Sequence, residues 1–132
     1  MLEIHVAGVA ALAASKNDVA AMEHWIDAQA ASGDDVEAAA QCDLEFHRAI
    51  ARTTGNELYL VLLDSIRGAL LDIRRTLMVG RLERTVREHR NVVSCIAAGD
   101  ALGARQAMQI HLDKVRDDWQ DQRHIATEGK KR

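Results

Sequence analysis

One carboxylate and three imidazoles in this chain are of a type and spacing that a divalent metal could use. Asp43 and His47 stand one helical turn apart on a 4-3 rhythm that runs Val36, Ala40, Asp43, His47, Ile50, Thr54. Positions on that rhythm share one helix face, the one expected to point into a core. His89 falls on a similar stripe with Leu82, Val86, Val93 and Ile96, and His111 on another with Ala104, Met108 and Val115. A buried carboxylate without a partner is strongly disfavoured, and a buried imidazole without one loses its water hydrogen bonds. Meeting around a divalent transition metal would remove both costs, because neutral imidazole and carboxylate are usual protein ligands for such ions. Each residue also has a plainer reading. An inward histidine can be a satisfied core residue, and Asp43 can pair with an arginine. His5, His24 and His124 have no such company and are not expected to be ligands.

The elements that must carry these residues are helices. Nearly half the chain is apolar, mostly Ala, Leu, Val and Ile, with four aromatics (Trp25, Phe46, Tyr59, Trp119) and no proline. Ala and Leu favour helix, and the apolar–polar alternation of strands is missing. The fold class is all-α. Residues 2–14 read as a first helix, and Asn17 or Asp18 can cap a second that ends near Ser32-Gly33. Asp34 or Asp35 opens a third that runs to Thr54, with Gly55 as its stop. Asn56 caps a fourth, with Leu58, Val61, Leu62, Ser65, Ile66 and Leu70 as its stripe. It reaches about Val79, with a break near Gly68, and Gly80 ends it. A fifth spans Leu82 to Ala98, and Asp100 caps a sixth that reaches about Trp119. Short connections between long amphipathic helices predict an antiparallel bundle of about six. Residues 1–121 form one domain, and the polar tail 122–132 is expected to fray.

Charge narrows the function classes. The net charge is −3, which argues against a nucleic-acid binder. Residues 1–47 carry nine acids against Lys16 alone, whereas residues 66–90 carry seven arginines against Asp72, Glu83 and Glu88. That basic stretch is either a solvated helix face or a place for an anion. Cys42 and Cys95 form no spaced motif and read as reduced, half-buried thiols of a cytoplasmic protein. No apolar run approaches membrane-spanning length.

The motifs around the candidate ligands resemble those of a known family. Asp43-Leu-Glu-Phe-His-Arg-Ala-Ile-Ala51 is followed by Thr54-Gly-Asn-Glu-Leu58, then by Glu88-His-Arg-Asn-Val-Val93. Ala98-Gly-Asp100 then leads to Met108-Gln-Ile-His-Leu112, and Leu2-Glu3 with its Ala-rich sequel matches the start. In this order the stretches are similar to the FCD domain, the C-terminal effector domain of FadR-type GntR transcription regulators. The resemblance covers nearly the whole chain. It implies a helical bundle in which Asp43, His47, His89 and His111 hold a metal, with Zn²⁺ or Ni²⁺ the expected ions. It further implies a small organic acid as effector, whose carboxylate completes the coordination, and a homodimer. In such regulators the effector changes how a winged helix-turn-helix holds its operator. No such domain is present in this sequence, so DNA binding by this chain alone is not expected. The family often carries an arginine shortly before Leu-Glu; here that position falls before Met1, as if the chain began inside the first helix.

A ligand sensor is thus the leading reading, with Arg67, Arg74 and Ser65 as candidates for fixing the effector's other end. The alternatives are a metal-free helical interaction or dimerisation module and a mononuclear metal hydrolase. The hydrolase is disfavoured because the three stripes offer no further Glu or His as a general base. The chain is therefore not expected to be an enzyme.

Overall fold

The computed structural model describes residues 2–130. Its elements are α1 (Leu2–Ala13), α2 (Lys16–Ala30), α3 (Val36–Arg52), α4 (Glu57–Ser65), α5 (Arg67–Met78), α6 (Leu82–Ala97) and α7 (Ala101–Lys130). Among the described residues there is no strand, and no helix is long and apolar enough to cross a membrane. The expected all-α bundle is present, with seven helices where six were expected.

The extra helix arises because the segment after Asn56 breaks at Ser65–Ile66, two residues ahead of Gly68. Ser65 Oγ donates to the Leu62 carbonyl at 2.7 Å, closing the last turn of α4 from the side chain. Ile66 then leaves helical geometry at φ −107°, ψ 14°. Gly68 lies in the first turn of α5, so the break falls near it, as expected. The start of α2 also differs from expectation. Ser15 is the cap, not Asn17 or Asp18: its Oγ accepts from Asp18 N at 3.1 Å, and Asp18 Oδ2 accepts from Ser15 N at 2.8 Å. This reciprocal box satisfies two donors at once. Asp35 and Asn56 cap α3 and α4 as expected. Gly55 and Gly99, both at φ 70°, end α3 and α6 in a left-handed turn open to glycine without strain. The last helix continues from Trp119 through Lys130, well past the expected end, and its exposed residues include Ile125. Residues 131 and 132 of the tail lie outside the described residues.

Packing explains the alanine content. Ala7 and Ala10 of α1 and Ala104 of α7 have no exposed surface, so these two helices meet across small side chains. Gly8 extends that contact, because a Cβ there would lie 2.9 Å from Arg105 Cγ. Met22, Ile26, Phe46, Ile50, Val92 and Met108 fill the same core from α2, α3, α6 and α7. The charge asymmetry is resolved between helices: Arg67 pairs with Glu45, Arg75 with Glu37, and Arg90 with Asp27. Such surface pairs contribute little individually. Cys42 and Cys95 are free and half-buried.

Candidate metal centre

α3 passes against α2 and α5, and α7 passes against α6 and α1. Asp43 and His47 on α3, His89 on α6 and His111 on α7 therefore face one another, and all four are buried. One ligating atom from each lies within 4.8 Å of all the others. Two donors at ordinary distances of ~2.0–2.2 Å from one ion stand at most ~4.4 Å apart, so a small inward movement completes such a set.

The ring orientations are fixed from behind. His47 Nδ1 lies 3.3 Å from Glu3 Oε1, His89 Nδ1 lies 2.9 Å from Gln29 Oε1, and His111 Nδ1 lies 2.9 Å from Glu88 Oε1. Three imidazoles thus have three acceptors, drawn from α1, α2 and α6. In a neutral ring, an Nδ1–H given to such an acceptor leaves Nε2 as a bare lone pair. Phe46 stacks on His89 with ring centroids 4.2 Å apart, which fixes the ring plane.

Inside the cluster the atoms are close but not bonded. Asp43 Oδ1 lies 3.1 Å from His89 Nε2 and 3.4 Å from His47 Nε2. Those are ion-pair distances, yet Asp43 Oδ1, His47 Nε2 and His89 Nε2 are buried without a hydrogen-bond partner. Alignment, not distance, is what fails. Orphaned polar atoms in a dry site are costly unless something satisfies them. A cation among them would do so, and the donor set is of the kind a divalent transition metal takes.

The other oxygen of the carboxylate faces a charge: Arg74 Nε lies 2.7 Å from Asp43 Oδ2, an ion pair without an aligned hydrogen bond. Burial opposes charge on Asp43, but Arg74 and the two imidazoles outweigh it and keep its carboxyl well below the usual range. Burial likewise opposes charge on His47, yet Glu3 and Asp43 raise it to about 9. Glu3, penalised by burial, is lowered to about 2, chiefly by the charge of His47. His89 is pushed down to about 3, with burial the largest cause.

Asp43 and His111 also line a cleft with Arg74, Thr85, Leu77, Met78 and Val115; Arg81, Arg84 and Asp118 complete its wall. Arg84 and Arg81 both bind Asp118, the latter at 3.3 Å. Of the residues expected to greet an effector, only Arg74 lies here. Arg67 is turned to Glu45 at 3.0 Å, and Ser65 is exposed with its hydroxyl on Leu62. His5, His24 and His124 are exposed and outside the cluster.

Glu3, Gln29 and Glu88 carried no role in the sequence reading, although the signal was present. Gln29 follows Met22 and Ile26 on the buried stripe of α2, the pattern that singled out Asp43. Glu3 precedes Val6, Ala7 and Ala10 on α1 in the same way. Glu88 is a buried acid that the stripe through His89 did not include, and it is tied to His111.

A family model of the FCD domain matches residues 1–114. The HTH-type transcriptional regulator LutR of Bacillus subtilis (strain 168) is 34% identical over 127 residues, which cover 89% of this chain and 57% of that protein. A protein of Escherichia coli (strain K12), provisionally named as an L-lactate dehydrogenase operon regulatory protein, is 31% identical over 123 residues. That match covers 86% of this chain and 46% of the relative, and the Shigella flexneri protein of the same name gives the same figures. The chain spans about half the length of these relatives. With a seven-helix bundle, four convergent ligand-type residues and a family match over most of its length, this chain belongs to the FCD domain family.

Proposed function

We propose that this chain is the effector-sensing domain of a GntR-type transcription regulator, with Asp43, His47, His89 and His111 holding a divalent transition metal, Zn²⁺ or Ni²⁺. Family membership and the regulatory names of the relatives support the sensing role. A single observation carries the metal: Asp43 Oδ1, His47 Nε2 and His89 Nε2 are buried together without hydrogen-bond partners. The neutral His89 ring turns a lone pair toward a carboxylate oxygen and repels it; a cation between them reverses the sign and would take the place of the proton on His47. Bound there, a divalent ion supplies a Lewis-acidic position for a small carboxylate.

The chain's own residues orient that acid. Arg74 reaches the cleft beside Asp43, Thr85 brings a hydroxyl, and Leu77, Met78 and Val115 form an apolar wall. One arginine, one hydroxyl and a short apolar wall suit a short hydroxy acid. The operon names of two relatives support trying such acids first. In the whole regulator, a homodimer acting in the cytoplasm, the acid would shift the arrangement of the two copies. It can do so only by binding one arrangement more tightly than the other.

The test is elemental mass spectrometry on the tag-free protein, paired with melting curves before and after chelation. About one equivalent of Zn or Ni per chain, with a melt that falls on stripping, is the expected result. A protein that takes up no metal and ignores the chelator would leave a helical interaction module.

A further inference from the structure

Gln29 is fully buried and makes two contacts of opposite sense. Its Nε2 donates to the Ala39 carbonyl at 3.3 Å, and its Oε1 lies 2.9 Å from His89 Nδ1. The amide cannot be turned over, because that would set Oε1 against the carbonyl oxygen of Ala39 and an N–H against the ring. Oε1 therefore accepts, and His89 must carry its proton on Nδ1. The consequence falls on the far side of the ring, where Nε2 faces Asp43 Oδ1 at 3.1 Å.

Without Gln29 the ring has a better option. With the ring turned slightly, a proton on Nε2 could be given to Asp43 Oδ1, consuming at once the two atoms that a metal would need. Resting on the metal-site reading above, we infer that Gln29 is a positioning residue of the centre, which holds His89 in the Nδ1–H tautomer and so keeps Nε2 and Asp43 free for the ion. Among the three acceptors behind the imidazoles it is the uncharged one, the others being Glu3 and Glu88. Its amide donor also joins α2 to α3 through Ala39, so the ring on α6 is set by two other helices.

Two readouts test this on the full chain. Long-range ¹H–¹⁵N spectra of the metal-free protein should show His89 as the Nδ1–H tautomer in the wild type and as Nε2–H in Gln29→Met, with the signal assigned by His89→Gln. Competition of Zn²⁺ against a chelator of known affinity should find Gln29→Met weaker by about 10- to 100-fold, the usual effect of losing such a partner. Circular dichroism of each variant separates these effects from failure to fold. Wild-type protein with the proton on His89 Nε2, or a Gln29→Met variant with unchanged tautomer and unchanged Zn²⁺ affinity, would overturn the role of Gln29. A Gln29→Met variant that loses Zn²⁺ affinity with the Nδ1–H tautomer of His89 unchanged would do the same, by showing a packing role only. Wild-type protein that binds no Zn²⁺ while showing the Nδ1–H tautomer would instead overturn the metal reading beneath it.

Discussion

Arg74 and His89 approach Asp43 from opposite sides, Arg74 Nε at 2.7 Å from Oδ2 and His89 Nε2 at 3.1 Å from Oδ1. One oxygen faces a permanent cation, and the other faces the Nε2 atoms of His47 and His89 without a hydrogen bond. A second positive charge beside Oδ1, the proton of His47 or a bound cation in its place, completes the balance.

Removing ligands should uncouple metal retention from folding. His89→Ala and His111→Ala are expected to lose stoichiometric metal while keeping the helical far-ultraviolet signature, since neither change touches a helix cap. Elemental analysis after gel filtration checks the first outcome and circular dichroism the second. Full metal content in both variants would sink the ligand assignment.

Breaking the Arg74–Asp43 pair should be costly in a metal-dependent way. Both side chains are largely buried, and removing one partner of such a pair costs about 3–5 kcal/mol. Arg74→Met leaves the Asp43 charge uncompensated, and a bound dication would offset part of that. The loss of melting temperature should therefore be larger in the chelated protein than in the Zn²⁺-loaded one. Equal losses would show that the carboxylate does not meet the metal.

The metal-free protein should lose stability on both sides of near-neutral pH. His47 is raised to about 9 in the fold, so its contribution is complete below the unfolded value and disappears as pH rises through about 9. Its slope is at most about 1.4 kcal/mol per pH unit. Asp43 and Glu3 are lowered, so their contributions disappear as pH falls below the ordinary carboxylate range. His89, lowered to about 3, adds to the acid side, because the unfolded chain takes up its proton first. Melting curves of His47→Gln should lack the alkaline decline. A variant that keeps it would move the assignment elsewhere.

A short hydroxy acid should raise the melting temperature of the metal-loaded protein and not of the chelated one. At a hundredfold excess over Kd the gain is about 2.7 kcal/mol. Arg74→Gln should weaken this shift, whereas Arg67→Ala and Ser65→Ala should leave it intact, because those side chains face Glu45 and Leu62. Loss of the shift in the latter two would reverse the ranking.

The cap of α2 offers a control remote from the site. Ser15→Ala removes the Oγ bond to Asp18 N, leaves the backbone N–H bond to Asp18 Oδ2, and should cost about 1 kcal/mol, seen as a drop of a few degrees in melting temperature. Metal content should not change.

Periodicity by itself determined that Asp43, His47, His89 and His111 point inward, because helix geometry is local and a 4-3 rhythm of side chains needs no knowledge of neighbours. Composition and the order of motifs similarly determined the all-α class and the family. Local signals failed where competing bonds were equally local. Ser15 outranked Asn17 and Asp18 because a box satisfies two donors. What only the tertiary structure decided is which residue stands behind each ring: Glu3, Gln29 and Glu88 are 44, 60 and 23 positions away from the histidines they hold. It likewise brought Arg74 to Asp43 and left Arg67 on Glu45, although both belong to the same basic stretch. The stripe says that a side chain is buried. Which buried atoms meet depends on how the helices cross, and that is set by the packing of the whole core.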